Sequence, residues 1–348
     1  MAKIQELLQG RTERIDYSDL VKKYSWIVQR NQLCIVSPDS DGLLCGLFMS
    51  NVFDWQVKGF YDGKVMLLER GFSATDCIFL DMEVFRNNIR SVGHHMLLYN
   101  NNNIPSNWGN FENCIQPNNM RNYDGQHTFR LKYPLATIHL LIGIAGAHTS
   151  VNIPESAICP LLFTDGVYQN LFGYPENVMN WLQYLRAEEL ASPLKVVFEN
   201  EKYSVFKLMQ AMDQFFRSRD EITIPNQRGD RLRISDTEGS PYNISTTDGS
   251  CAIESDAKNR IERFIQLLSH LTKWEYKQSN WTWSNMCLYQ FTKLDFVRDN
   301  RRVNNRSYQD FLRKNPLSWA MTSNENIEYT LEKPDKITNR LVKQRRGS

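Results

Sequence analysis

Short apolar runs that stop at aspartates set the rhythm of the first half of the chain. Residues 32–36 (QLCIV) end at Ser37-Pro38-Asp39-Ser40-Asp41-Gly42, and residues 77–80 (CIFL) end at Asp81. Residues 157–163 (AICPLLF) end just short of Asp165. Brief, wholly apolar runs bounded by turn formers predict strands buried on both faces. Between them, helical spacing predicts a helix over residues 42–53, and residues 136–144 read as another; residues 55–61 alternate as a strand does. Residues 92–99 form a further short run, closed by the asparagine loop of residues 100–103. Strands alternating with helices predict an α/β fold, with a largely parallel sheet flanked by helices. The aspartates then lie just past the carboxyl ends of strands, the edge where open α/β sheets bind ligands.

The pattern changes after residue 195. Residues 176–190 and 202–216 predict helices, the second a connecting one. Residues 226–250 are rich in Gly, Ser, Asp and Arg and read as either a hairpin-bearing loop or a linker. An amphipathic helix over residues 256–274, a strand-rich stretch over 281–296 and a hairpin over 318–331, turning at 324–326, follow. The expected organisation is an α/β unit of residues 1–195 and a smaller C-terminal α+β domain of residues 196–348, of unassigned role and ending in a basic tail. The first 20 residues read as a charged amphipathic helix.

Composition narrows the function classes. A chain of 348 residues with 41% hydrophobic and 23% charged residues belongs with soluble globular proteins. Its net charge of +2 gives no sign of a nucleic-acid partner, so a binding groove would come from local clustering. The arginine clusters Arg228, Arg231, Arg233 and Arg298, Arg301, Arg302, Arg306 could contact phosphates, but they read first as solvated surface. No run approaches the ~20 apolar residues of a membrane span, and a cytoplasmic location with no membrane partner is expected. The seven cysteines are scattered without a C-x-x-C pair, which argues for small buried hydrophobes over a zinc site or disulfide framework. P-loop, H-E-x-x-H and G-x-S-x-G patterns are absent, so ATP hydrolysis, zincin proteolysis and serine hydrolase chemistry have no support.

The chemistry concentrates in Asp39, Asp41, Asp81, His94, His95 and Asp165. Singly, each aspartate reads as a turn or helix-cap residue. Together they offer the oxygen ligands of a divalent ion and a carboxylate able to bridge two ions, while an imidazole neighbour favours manganese, zinc or iron. His127, His139 and His148 have no partners at metal spacing, and His139 reads as a core histidine.

In this order the motifs resemble the DHH phosphoesterases, a family that includes RecJ-type nucleases and inorganic pyrophosphatases. Pro38-Asp39-Ser40-Asp41-Gly42 is similar to the first motif and Asp81 to the second. Gly93-His94-His95 looks like the signature, and Phe163-Thr164-Asp165-Gly166 like the fourth motif. The resemblance spans about residues 30–185. It implies a metal-dependent phosphodiesterase, a nuclease on single-stranded nucleic acid or short oligonucleotides, with manganese or magnesium as cofactor. Asp39, Asp41, Asp81, His94 and Asp165 would be the metal ligands, Asp81 the bridge, and His95 the phosphate contact or proton donor. The chain departs from the pattern twice. Ile35 stands where the family carries a metal-binding histidine, and Gly93 where the signature carries its leading aspartate. A catalytically degenerate subunit that binds nucleic acid, a nucleotide or a protein partner is therefore the alternative, and a homo-oligomer or partner subunit that completes the site is a further expectation.

Overall fold

The computed structural model describes residues 3–104, 111–223 and 229–333; Arg228 and the basic tail beyond Lys333 lie outside them. The sheet is built outward from β1 (Leu33–Val36), which pairs in parallel with β2 (Gln56–Tyr61) on one side and β4 (Cys77–Leu80) on the other. Parallel pairing continues to β5 (Arg90–Val92) and β6 (Cys114–Ile115). β3 (Val65–Glu69) returns antiparallel to β2. Residues of the second half extend the same sheet, with β9 (Met286–Asp295) antiparallel to β3 and then β11 (Asn326–Glu332) and β10 (Ser318–Ser323). The hairpin of β7 (Ile244–Thr247) and β8 (Ser250–Ile253) joins β9 at Met286. The parallel part of the sheet is thus β2, β1, β4, β5 and β6, with β5 ending where the expected run of residues 92–99 begins and β6 outside any expected run, and the second half adds antiparallel strands to it.

The continuous apolar runs are explained by burial on both faces of the sheet. Cys34, Val36, Ile78 and Leu80 enter one core, and Ile35, Cys77 and Phe79 enter the other, as the period-2 geometry of a strand requires. The first core is closed by the helix Ser40–Phe53, the helix Thr137–His148 and the amphipathic helix Ser255–Thr272. Trp274, Trp281 and Trp283 are buried in it too.

Two segments differ from the sequence reading. The run expected as a strand over residues 157–163 is the helix Ile158–Phe163. A short apolar run has no period to separate a buried strand from a buried helix, and Pro160 fits the first turn of a helix, where its missing N–H costs nothing. The N-terminal helix is split into Ile4–Leu8 and Tyr17–Lys23, with Gly10 at φ 75° after the first. Residues 318–332 form the expected hairpin, and the stretch over residues 226–250 contributes β7 and the start of β8. Among the described residues no helix is long and apolar enough to cross a membrane.

Candidate metal centre

From β1 the sheet runs through β2 to β3 on one side and through β4, β5 and β6 on the other, so its carboxyl end is the point where the strand order reverses and a crevice opens. Ser37 and Asp39 follow β1, Asp81 follows β4, and His94 and His95 follow β5. Asp165 arrives from the turn after Ile158–Phe163. Asp81 at φ 61° and Asp165 at φ 50° both adopt the left-handed conformation. That region is uncommon for residues with a side chain, more tolerated by aspartate, and concentrates at functional sites. The first turn of Ser40–Phe53 packs directly on the β1 exit. A Cβ on Gly42 would lie 2.2 Å from the Ser37 carbonyl oxygen, so glycine is required there.

Four of the expected residues converge. Asp81, His94, His95 and Asp165 each offer a ligand atom within 4.8 Å of the others, a group able to hold a metal ion. The hydrogen bonds around them fit a cation. Thr137 Oγ1 donates to Asp81 Oδ1 at 2.7 Å and lies 2.8 Å from His94 Nδ1. With its own proton committed to Asp81, Thr137 accepts the Nδ1–H of His94, which leaves the Nε2 lone pair facing Asp165 Oδ2 at 3.2 Å. A lone pair and a carboxyl group face to face take either a shared proton or a metal ion between them. On the other side of Asp81, Ser37 Oγ lies 2.6 Å from Asp81 Oδ2 and 2.7 Å from Asp39 Oδ1. One hydroxyl proton cannot serve two carboxylates, so either one carboxyl is protonated or a cation shares the site.

The electrostatics agree. Burial, and then the charges of Asp41, Asp39 and Asp165, hold the Asp81 carboxyl well above the usual range. Burial and the charges of Asp41 and Asp39 do the same to Asp165. Burial, then His95 and Lys132, push His94 well below its ordinary value, and burial with Lys132 brings His95 down to about 4. Both imidazoles are therefore neutral at pH 7, the form that ligates metals.

Asp39 and Asp41 border this group. Asp41 is fully buried and accepts the backbone N–H groups of Thr137 (2.7 Å) and Ile138 (3.0 Å), capping the helix Thr137–His148. Asp39 accepts from Gly42 N at 3.3 Å and faces Arg231 Nη2 at 3.5 Å. Ile35 is wholly buried on the opposite face of the sheet beside Tyr61 and Phe79. His139 is also wholly buried, as expected of a core histidine.

A cavity of about 420 Å³ opens beside the group, in the size range of small-molecule sites. Asp39, His95 and Asp165 line one wall, and Arg231, Arg233 and Lys293 come from the second half of the chain. Arg231 and Arg233 are exposed, as the surface reading expects, and they line this cavity because the segment 231–237 folds back over the β1 exit, with Leu232 N donating to the Pro38 carbonyl at 2.7 Å. Lys293 pairs with Glu328 at 3.0 Å. Sequence reasoning also missed Thr137, which no motif marks, and Glu83, two residues beyond Asp81. Comparisons of the chain with family models, with curated proteins and with solved structures gave no match in any of the three.

Proposed function

We propose that this chain is a metal-dependent phosphodiesterase of the DHH type, a hydrolase acting on single-stranded nucleic acid or short oligonucleotides. The observation that carries the proposal is the convergence of Asp81, His94, His95 and Asp165, from three separate loops, on one group of ligand atoms. The mixed nitrogen and oxygen donors favour manganese, with magnesium the second choice. Bound divalent ions polarise a phosphoryl oxygen and lower the pKa of a coordinated water. Asp81 is suited to bridge two ions: Oδ1 faces Thr137 and the histidines while Oδ2 faces Ser37 on the Asp39 side. His94 and Asp165 would complete the first ion's shell and Asp39 would serve the second.

Arg231 and Lys293 supply counter-charge for a phosphate in the cavity, and both lie close enough to His95 to depress its pKa. With a value of about 4, His95 is neutral and meets a phosphate as a hydrogen-bond donor rather than as an acid. The cavity's size suits a nucleotide or the end of a short oligonucleotide.

A second reading, a degenerate subunit that holds nucleic acid, a nucleotide or a protein partner without cleavage, is favoured by Ile35, Gly93 and the capped Asp41. A metal-binding histidine cannot be replaced by a buried isoleucine, and backbone amides already occupy Asp41. Labelled single-stranded DNA, RNA and short oligonucleotides, incubated with manganese beside Asp81→Ala and His94→Ala, separate the two. Cleavage lost in folded variants supports the enzyme. Oligonucleotide binding without cleavage, unchanged in both variants, supports the subunit.

A further inference from the structure

The loop that carries both histidines, residues 93–96, is held at five of its backbone groups. Gly93 N donates to the Ile115 carbonyl at 3.2 Å. Asn118 Nδ2 donates to the carbonyls of His94 (3.2 Å) and Met96 (2.9 Å), and Met321 N donates to that of His95 at 3.4 Å. On the amide side, Glu83 Oε1 accepts the Met96 N–H at 2.7 Å. Glu83 is only 2% exposed. Burying a carboxylate is expensive and needs a return.

Its placement depends on Gly93. A Cβ on residue 93 would stand 2.6 Å from Glu83 Cδ and 2.7 Å from Oε2, so the carboxylate fills the volume that a side chain there would occupy. Glu83 and Gly93 are thus two halves of one packing solution beneath the histidines.

We propose that Glu83 is a positioning residue for the candidate metal centre: its carboxylate, seated in the side-chain space left by Gly93, clasps the 93–96 loop and fixes the orientation of His94 and His95. Glu83 lies outside the group of ligand atoms and acts through the loop. The effect on metal affinity rests on the function proposed above; the effect on imidazole orientation does not.

The test uses the full chain. Long-range proton–nitrogen spectra of the metal-free protein read the tautomers of His94 and His95, and manganese titration reads affinity. The unaltered chain and Glu83→Gln, which keeps an acceptor oxygen, should show His94 protonated at Nδ1 alone. Glu83→Ala and Gly93→Ala should both show mixed tautomers and weaken manganese binding by roughly 10- to 100-fold, the usual effect of losing a residue that orients a ligand. Adding Gly93→Ala to Glu83→Ala should cost little more, because the contact is already gone. Unchanged imidazole spectra in Glu83→Ala would overturn the proposal, and so would Glu83→Gln behaving like Glu83→Ala. Should Glu83→Ala not fold, Gly93→Ala against Glu83→Gln makes the same decision. An unaltered chain that binds no manganese contradicts the proposed function, and the imidazole spectra still decide the role of Glu83.

Discussion

Thr137 ties two candidate ligands together with one hydroxyl, donating to Asp81 and accepting from His94. Thr137→Val keeps the shape and removes the relay. It should destabilise the protein by about 1–3 kcal/mol, the cost of stranding buried polar groups, and weaken metal binding roughly 10- to 100-fold; chemical unfolding and metal titration read the two effects. Glu83 carries a pH signature. Burial raises its pKa from 4.5 to about 7, so its contribution to stability is full below the unfolded value and is lost as pH rises through about 7. Unfolding measured between pH 4.5 and pH 7 should therefore show a slope that Glu83→Gln flattens, worth up to about 3 kcal/mol at the upper end. The aspartates were legible as sequence because each follows an apolar run, and the histidine pair because Gly93-His94-His95 resembles a family signature. Thr137 was not, since a threonine at a helix start looks the same whether it organises a site or merely begins a helix.

At the scale of elements, the close packing of Ser40–Phe53 on the β1 exit sets where Asp39 and Asp41 stand. Gly42→Ala would drive its Cβ into the backbone of Ser37, which no side-chain rotation relieves. A loss of about 1–3 kcal/mol is expected, together with weaker metal binding, read by thermal unfolding and titration; an unchanged variant would show that the turn tolerates displacement. β2 was readable because its residues alternate, and β1 and β4 because burial on both faces leaves uninterrupted apolar runs. Residues 157–163 were misread for the same reason, since an apolar run without a period fits either a buried strand or a buried helix. The result is that Asp165 enters from a turn between helices, with Asp165 and Gly166 both in the left-handed conformation.

For the whole molecule, the decisive contact is β9 on β3. It carries the second half of the chain into the first half's sheet and brings Lys293 to the cavity, while the Leu232–Pro38 hydrogen bond holds Arg231 there. Sequence patterns mark strands but not which distant strands pair, so this was not legible. Residues 1–195 expressed alone should lose the cavity's cationic wall and leave the β3 edge bare, a template for aggregation. Such a fragment should sediment as aggregate, and a soluble monomer with a cooperative unfolding transition would contradict this. A metal that binds the folded chain alone should also stabilise it, by about 2.7 kcal/mol at a hundredfold excess over its dissociation constant. The most direct measurement of all is anomalous diffraction from crystals soaked in manganese. The expected result is a peak among Asp81, His94, His95 and Asp165, lost in Asp81→Ala. Well-diffracting crystals of the unaltered chain with no peak there, or with a peak only elsewhere, would contradict the assignment of these residues as a metal centre.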